Sequence, residues 1–68
     1  MKKFSQILAD LMKEEGISQS ALSRHLGISQ QTVGTYLNKG YEPSFDILIK
    51  IAKFFSVSMD FLLGLTDY

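Results

Sequence analysis

The side chains best suited to chemistry in this sequence form a polar, uncharged set between residues 30 and 38. Gln30, Gln31 and Thr35 are spaced so that one side of a helix can carry all three. A glutamine amide can pair with both N6 and N7 of adenine, and a threonine methyl group can contact the methyl group of thymine. Such a face can read base edges without carrying charge. The alternative for these residue types is an ordinary solvated helix surface.

Catalytic and metal-binding chemistry has little basis in the composition. The chain has 68 residues, no Cys and one histidine, His25. It therefore lacks a thiol nucleophile, a disulfide framework and the several N or S ligands of a zinc site. Its carboxylates show no partner set for acid/base catalysis, and a chain of this length is too small for a large enzyme cleft. We expect no enzyme activity, no cofactor, no metal and no small-molecule ligand.

Five short helices must position the polar set, and the hydrophobic pattern predicts all five. The first has an apolar stripe that starts at Phe4 and ends before Gly16, and the others span 19–26, 30–38, 45 to about 55 and 59–63. A serine precedes each of the last four helices as a predicted N-cap: Ser18, Ser29, Ser44 and Ser58. No stretch alternates strictly as a strand does. The expected fold is all-α, in one domain spanning residues 1–68.

The link between the second and third predicted helices is the most informative spacing. Leu26-Gly27-Ile28-Ser29 is a very short turn containing glycine, which is typical of a helix-turn-helix over about residues 18–38. In that motif the second helix of the pair is supported from behind and presents its N-terminal turns outward. Val33, Tyr36 and Leu37 are predicted to face inward, which leaves the glutamines outside.

Residues 17–33, ISQSALSRHLGISQQTV, resemble the helix-turn-helix of the Cro/CI phage-repressor (XRE-type) family, and the resemblance continues to about residue 64. It implies a compact five-helix bundle of the lambda-repressor-like type that binds operator DNA as a symmetric dimer. The resemblance also implies contacts residue by residue: with bases from Gln30, Gln31 and Thr35, and with the DNA backbone from Gln19, Thr32, Asn38 and Lys39. Packing is the alternative role for the position of Thr32. Arg24 is a further candidate for a backbone contact, because its side chain can reach a phosphate; a solvated surface position is the alternative.

Three departures from the family pattern stand out. Met12 and Leu37 occupy positions where many relatives pair a basic with an acidic residue, and an apolar pair can replace an ion pair at little cost. The order Lys39-Gly40 reverses the family's usual Gly-Lys. Gly34 lies within the third predicted helix, where glycine costs roughly 1 kcal/mol relative to alanine. Closer approach to the DNA groove and drift at a tolerant surface site are both open explanations for Gly34.

The C-terminal third is more apolar than one buried helix stripe requires. Beyond that stripe lie six further large apolar residues: Ile47, Ile49, Phe54, Phe61, Leu65 and Tyr68. Exposed apolar patches often mark partner surfaces. We predict homodimerisation through the last helix and tail, with Phe54, Phe61 and Leu65 contributing, and core packing is the alternative for these side chains.

The net charge of zero conceals an uneven distribution. Residues 16–41 contain no acidic residue and carry Arg24 and Lys39, while the remaining residues have a surplus of acidic residues.

The predicted function is a cytoplasmic, sequence-specific transcriptional regulator, a repressor that binds double-stranded DNA at a palindromic operator. The alternative is a protein-interaction module, antitoxin-like or anti-repressor-like, on a helix-turn-helix scaffold. No run approaches the ~20 apolar residues of a membrane span, and we expect no membrane partner.

Overall fold

The computed structural model of the protein describes residues 3–66, and every regular element in this range is a helix. The five helices are α1 (Phe4–Glu15), α2 (Gln19–Leu26), α3 (Gln30–Asn38), α4 (Phe45–Phe55) and α5 (Met59–Leu62). The predicted all-α architecture is confirmed, and α5 ends one residue earlier than expected. Lys2 and Tyr68, which the sequence reasoning also considered, lie outside the described residues.

Serine side chains define the start of three helices. The hydroxyl oxygens of Ser18, Ser29 and Ser58 each accept a hydrogen bond from a backbone N–H in the first turn: from Ala21 at 3.0 Å, from Thr32 at 3.1 Å and from Phe61 at 3.0 Å. These bonds satisfy donors that a helix leaves unpaired at its N-terminus. The expectation for Ser44 was only half right, because it occupies the N-cap position of α4 without a capping bond from its side chain. The first turn of α4 instead carries Asp46, whose charge suits the helix dipole.

The turn between α2 and α3 depends on a left-handed backbone at Gly27, with φ of +71°. This conformation favours glycine because it lacks a Cβ atom. It lets the amide of Ile28 donate to the carbonyl of Ser23 at 3.1 Å, which closes the end of α2. The chain then enters α3 through Ser29 with no intervening loop. The predicted helix-turn-helix is thus present between residues 18 and 38.

All five helices contribute to one apolar core. Its six most deeply buried side chains are Leu8, Leu22, Leu26, Val33, Ile51 and Leu62. Helix α3 packs against both α1 and α2, so it is supported from behind. Val33 and Tyr36 are buried as predicted, whereas Leu37 is only half-buried at the edge of the core. Between residues 3 and 66, no helix has the length and apolar character needed to cross a membrane.

A hydrogen bond also connects α4 to the helix-turn-helix. The ammonium group of Lys50 donates to the Leu26 carbonyl at the end of α2, over 3.4 Å. A cation at this end of a helix also interacts favourably with the helix dipole. The link therefore helps to hold α2, and with it the α2–α3 turn, against α4.

Candidate nucleic-acid interface

Helix α3 is fixed by one face and presents the other to solvent. Val33 is completely buried and Tyr36 nearly so, with the Tyr36 ring meeting that of Phe4 edge-on at a centroid distance of 6.4 Å. On the opposite side Gln30 and Gln31 are exposed. The predicted division of α3 into an inward apolar face and an outward amide face is therefore present in the structure.

The outward face of α3 forms one side of a shallow, open depression of about 420 Å³. We call this the α3 surface, and its seven lining residues are Gln19, Gln30, Gln31, Gly34, Thr35, Asn38 and Lys39. Six of these seven are residues that the sequence predicted as DNA contacts. The structure thus brings together on one surface residues from the start of α2 and from the whole length of α3.

Two other predicted contact residues lie outside the α3 surface. Arg24 is exposed on α2. Thr32 is half-buried at the start of α3, where its hydroxyl lies 2.7 Å from that of Ser29 and its N–H donates to the same serine oxygen. Thr32 therefore belongs to the cap of α3, which is a structural role. Asn38 is the last residue of α3, as the predicted span of 30–38 has it, and Lys39 follows as the helix C-cap.

The hydroxyl group of Thr35 has an internal partner. It donates to the carbonyl of Thr32 at 2.7 Å, one turn earlier in α3. This bond fixes the side-chain rotamer and uses the only hydroxyl proton. Thr35 consequently offers its methyl group and the lone pairs of its oxygen to a ligand, a combination suited to a thymine methyl group or to a base donor.

The amide groups of the α3 surface are free to bind. Among residues 3–66, no hydrogen bond uses the side chains of Gln19, Gln30, Gln31 or Asn38. Each amide can donate and accept at once. The surface therefore holds several paired donor and acceptor groups that water satisfies in the free protein.

The charge around this surface favours an anionic ligand. No acidic residue lies between Gly16 and Tyr41, so the sparse positive charge of Lys39 and Arg24 is not cancelled within the segment. The first turns of α2 and α3 also contain no acidic residue. Backbone N–H groups at the start of a helix favour phosphate oxygens. The local charge and the amide groups thus both favour an anionic, hydrogen-bonding partner.

The three predicted dimer residues differ in exposure. Phe54 is half-buried, with its ring centroid 4.6 Å from that of His25 on α2 and 4.9 Å from that of Phe55. Phe61 is half-buried against the core. Leu65 is 64% exposed. Of the three, Leu65 alone presents most of its side chain to solvent.

Sequence reasoning missed two exposed aromatic residues, Tyr41 and Phe45, which are 63% and 68% exposed. Phe45 continues the spacing of the buried α4 stripe, so periodicity alone places it in the core. It lies instead in the first turn of α4, beyond the edge of the core. Tyr41 belongs to the loop before α4, where periodicity carries no signal.

The described part of the chain contains no cluster of side chains suited to a metal ion. Over residues 3–66, no three His, Cys, Asp or Glu side chains are grouped so that they can hold a metal ion. His25 packs against Phe54 on a different face from the α3 surface. The amide and hydroxyl groups of the α3 surface are hydrogen-bonding groups, suited to recognition.

Residues 8–62 match the helix-turn-helix family model. The chain is 33% identical over 64 residues to the uncharacterized HTH-type transcriptional regulator YobD of Bacillus subtilis, covering 94% of this chain and 57% of YobD. It is 39% identical over 44 residues to an uncharacterized HTH-type transcriptional regulator of Methanocaldococcus jannaschii, covering 65% of this chain and 67% of that protein. The chain thus spans little more than half the length of YobD. These matches agree with the expectation that it is not an enzyme.

Solved structures share the same fold. A transcriptional regulator from Listeria innocua superposes with a TM-score of 0.88 at 30% identity, over 94% of this chain and 60% of that one. The P22 c2 repressor, in complex with a synthetic operator, superposes with a TM-score of 0.88 at 23% identity, over 97% of this chain and 100% of that one. At that identity, the likeness to the repressor concerns the fold alone. The family match, the helix-turn-helix geometry and these superpositions together show that the chain belongs to the helix-turn-helix family of the Cro/CI phage-repressor (XRE) type.

Proposed function

We propose that the chain is a sequence-specific DNA-binding module of a transcriptional regulator, with α3 lying in the major groove. The observation that carries this proposal is the α3 surface, where unpaired amides are gathered on the outer face of a helix supported from behind. Gln30, Gln31 and Thr35 make the base contacts. The two glutamines suit adenine, and the methyl group of Thr35 suits thymine.

Contacts with the DNA backbone position this helix. Asn38 and Lys39 lie at the C-terminal end of α3, and Arg24 is exposed on α2. These side chains, together with Gln19 at the start of α2, bind phosphate oxygens, whereas Thr32 is left to the cap of α3. Such contacts fix the orientation of a protein on DNA without reading its sequence.

The regulator acts as a repressor and binds DNA as a symmetric dimer in the cytoplasm. Leu65, with Phe61 and Phe54 from the same C-terminal part of the chain, forms the dimer contact. The exposure of Leu65 supports this assignment, since burial by a partner removes apolar surface from water and stabilises the complex in proportion to the area buried. A symmetric dimer requires a palindromic operator whose half-sites are about one helical turn apart.

A protein-interaction module is the second candidate, and the exposed side chains of Tyr41, Phe45 and Leu65 favour it. In that case the helix-turn-helix is a scaffold that presents apolar residues to another protein. The α3 surface argues for DNA over this alternative, because it is free of acidic residues and lined by amides that have no hydrogen-bond partner among residues 3–66.

Selection of binding sites from random DNA duplexes separates the two functions. The proposal predicts enrichment of a defined motif with adenine or thymine at the positions that the glutamines and Thr35 contact. If no motif is enriched while a protein partner binds the chain tightly, the interaction module replaces the regulator.

Analytical sedimentation tests the dimer. The wild-type chain is expected to dimerise at micromolar concentration, and Leu65→Ser is expected to shift it toward monomer. Phe45→Ser is a matched control, because Phe45 is equally exposed and is not assigned to the interface. A wild-type monomer at high micromolar concentration, or an equal effect of the two substitutions, contradicts the proposed interface.

A further inference from the structure

Tyr41 follows directly beyond the Lys39 end of the α3 surface. Lys39 is the C-cap of α3 and lines the α3 surface, and Gly40 comes next in the left-handed conformation, with φ of +72°. The Cα atoms of residues two apart along a chain lie at most about 7 Å from each other. Tyr41 is therefore adjacent to the surface that the proposed function assigns to DNA.

The phenol group of Tyr41 is available to a ligand. The side chain is 63% exposed. Among residues 3–66, no hydrogen bond and no ring contact uses it. Its hydroxyl group can donate one hydrogen bond and accept others. A partner that offers acceptor oxygens can therefore bind this hydroxyl group without breaking a bond inside the protein.

The loop that carries Tyr41 is held at both ends. At its start, the N–H of Lys39 donates to the Thr35 carbonyl at 3.0 Å, which keeps this residue on the last turn of α3. At its end, Pro43 is buried in the fold. The proline ring also fixes the backbone dihedral angle φ of that residue. Tyr41 thus projects from a short loop that needs little further ordering before it binds.

The acidic neighbour of Tyr41 contributes to another surface. Glu42 lines a second depression of about 470 Å³, together with Lys3 and Lys39. Tyr41 lines neither this depression nor the α3 surface. The carboxylate of Glu42 thus shares its surroundings with two basic residues, whereas the phenol group of Tyr41 extends into solvent.

A neutral donor at this position suits a phosphate oxygen. Tyrosine is among the side chains that donate to the DNA backbone. Residues 16–41 contain only two Lys or Arg residues, Arg24 and Lys39, so uncharged donors have to supply part of the backbone contacts of this segment. Tyr41 lies outside α3, the helix proposed to enter the groove, which favours a contact with the backbone over one with a base edge.

We infer that the hydroxyl group of Tyr41 donates a hydrogen bond to a phosphate oxygen of the DNA backbone, next to the phosphate that Lys39 binds. This inference rests on the proposed function and adds a contact that positions α3 without reading sequence. It separates Tyr41 from the other two largely exposed hydrophobic residues, Phe45 and Leu65, whose side chains have no hydrogen-bonding group.

Tyr41→Phe removes only the hydroxyl group, and fluorescence anisotropy measures the effect on DNA affinity. Affinity should fall by about 3- to 10-fold, for the selected duplex and for a scrambled duplex alike. The salt slope should stay unchanged, because a phenol group neutralises no phosphate charge. For comparison, Lys39→Gln should make the slope smaller by about 1. Phe45→Leu is the matched control, since it changes an equally exposed aromatic residue without a hydroxyl group and should bind as the wild-type chain does.

Methylphosphonate substitution in the selected duplex then locates the contact. Neutral methylphosphonate replaces one phosphate at a time, and at one position per half-site it should weaken binding of the wild-type chain but not of Tyr41→Phe. Equal affinities of wild type and Tyr41→Phe, a loss confined to one base pair of the motif, or a shift of Tyr41→Phe toward monomer in sedimentation overturns the inference alone. A wild-type chain that enriches no motif overturns the proposed function together with it.

Discussion

The helix-turn-helix segment, residues 16–41, and the C-terminal segment, residues 44–66, differ in the side chains that they expose to solvent. The first has no acidic residue and an outer face of amides and hydroxyls. The second contains the most apolar helix, α4, and continues into Leu65, which is largely exposed. The first segment thus exposes hydrogen-bonding groups, whereas the second exposes a large apolar side chain.

The ends of α2 and α3 also differ from those of α4. Helices α2 and α3 both start with a serine whose side chain accepts a capping hydrogen bond, and α2 ends at a left-handed glycine. Helix α4 has no side-chain cap and ends at Ser56, a non-glycine residue in the left-handed region with φ of 56°. The comparison teaches that side-chain caps help to define the starts of α2 and α3, which leaves their outer residues free to bind. Burial dominates in α4.

The largest expected effect concerns the core of α4. Ile51 is fully buried, so Ile51→Ala should destabilise the protein by about 2–5 kcal/mol, through lost burial and the cavity left behind. Urea denaturation measures this loss. Lys53→Ala, on the exposed face of the same helix, should change stability by less than about 0.5 kcal/mol. Similar losses for the two variants would break the claim that burial holds α4.

The next effect separates binding from stability. Gln31→Ala removes an exposed amide from α3, so the free energy of unfolding should change by less than about 0.5 kcal/mol. Affinity for the selected duplex should fall by about 1–3 kcal/mol, or roughly 5- to 150-fold. Fluorescence anisotropy with labelled duplex gives the affinity. The control is Gln6→Ala, which removes an exposed glutamine from α1, away from the α3 surface. Equal affinities of these two variants would show that Gln31 is ordinary solvated surface.

A smaller effect tests the end of α4. Ser56→Gly should raise the stability of the protein by about 1 kcal/mol, because glycine adopts the left-handed conformation without steric cost. Ser56→Ala keeps the Cβ atom and should give no such gain. Thermal or urea unfolding of both variants provides the comparison. A loss of stability with glycine would mean that the serine side chain itself stabilises this end.

The smallest effect is confined to alkaline pH. Burial raises the pKa of Tyr36 above its ordinary value of 10.0. Below that value the phenol is neutral in both states, so it adds no pH dependence. Above it the unfolded chain loses the proton first, and stability therefore falls until the folded phenol also ionises.

Tyr36→Phe should accordingly lessen the fall in stability above pH 10, measured by urea denaturation at a series of pH values. Tyr41→Phe is the matched control, because Tyr41 is largely exposed and should leave the alkaline decline in place. A decline that is identical in wild type and Tyr36→Phe would contradict a buried, neutral Tyr36.

Local patterns predicted most of the fold, because caps, glycine turns and apolar spacing act within a few residues of one another. The bounds of α1 to α4 and the turn at Gly27 follow from such signals. Local patterns were not sufficient where a residue's environment depends on distant parts of the chain. Phe45 shares the periodicity of the buried stripe yet lies beyond the core, and Leu37 reaches only its edge.

The same distinction applies to the candidate site. The outward position of Gln30 and Gln31 follows from the spacing of the buried residues of α3. The position of Gln19 against Gly34 does not, since it depends on how α2 crosses α3. Nor does the cap role of Thr32, whose hydroxyl pairs with that of Ser29. Side-chain contacts between helices required the three-dimensional structure.

The central claim is that a chain with no net charge binds DNA through base contacts more than through charge, and the salt dependence of affinity for the selected duplex tests it most directly. Because each neutralised phosphate contributes about −0.9 to the log–log slope, we predict a slope of about −2 to −5 for a dimer and a clear preference over a scrambled duplex. A slope near −10, with similar affinity for both duplexes, would contradict the account. It would show instead that lysines beyond the helix-turn-helix, such as Lys2, Lys3, Lys13, Lys50 or Lys53, bind the DNA backbone.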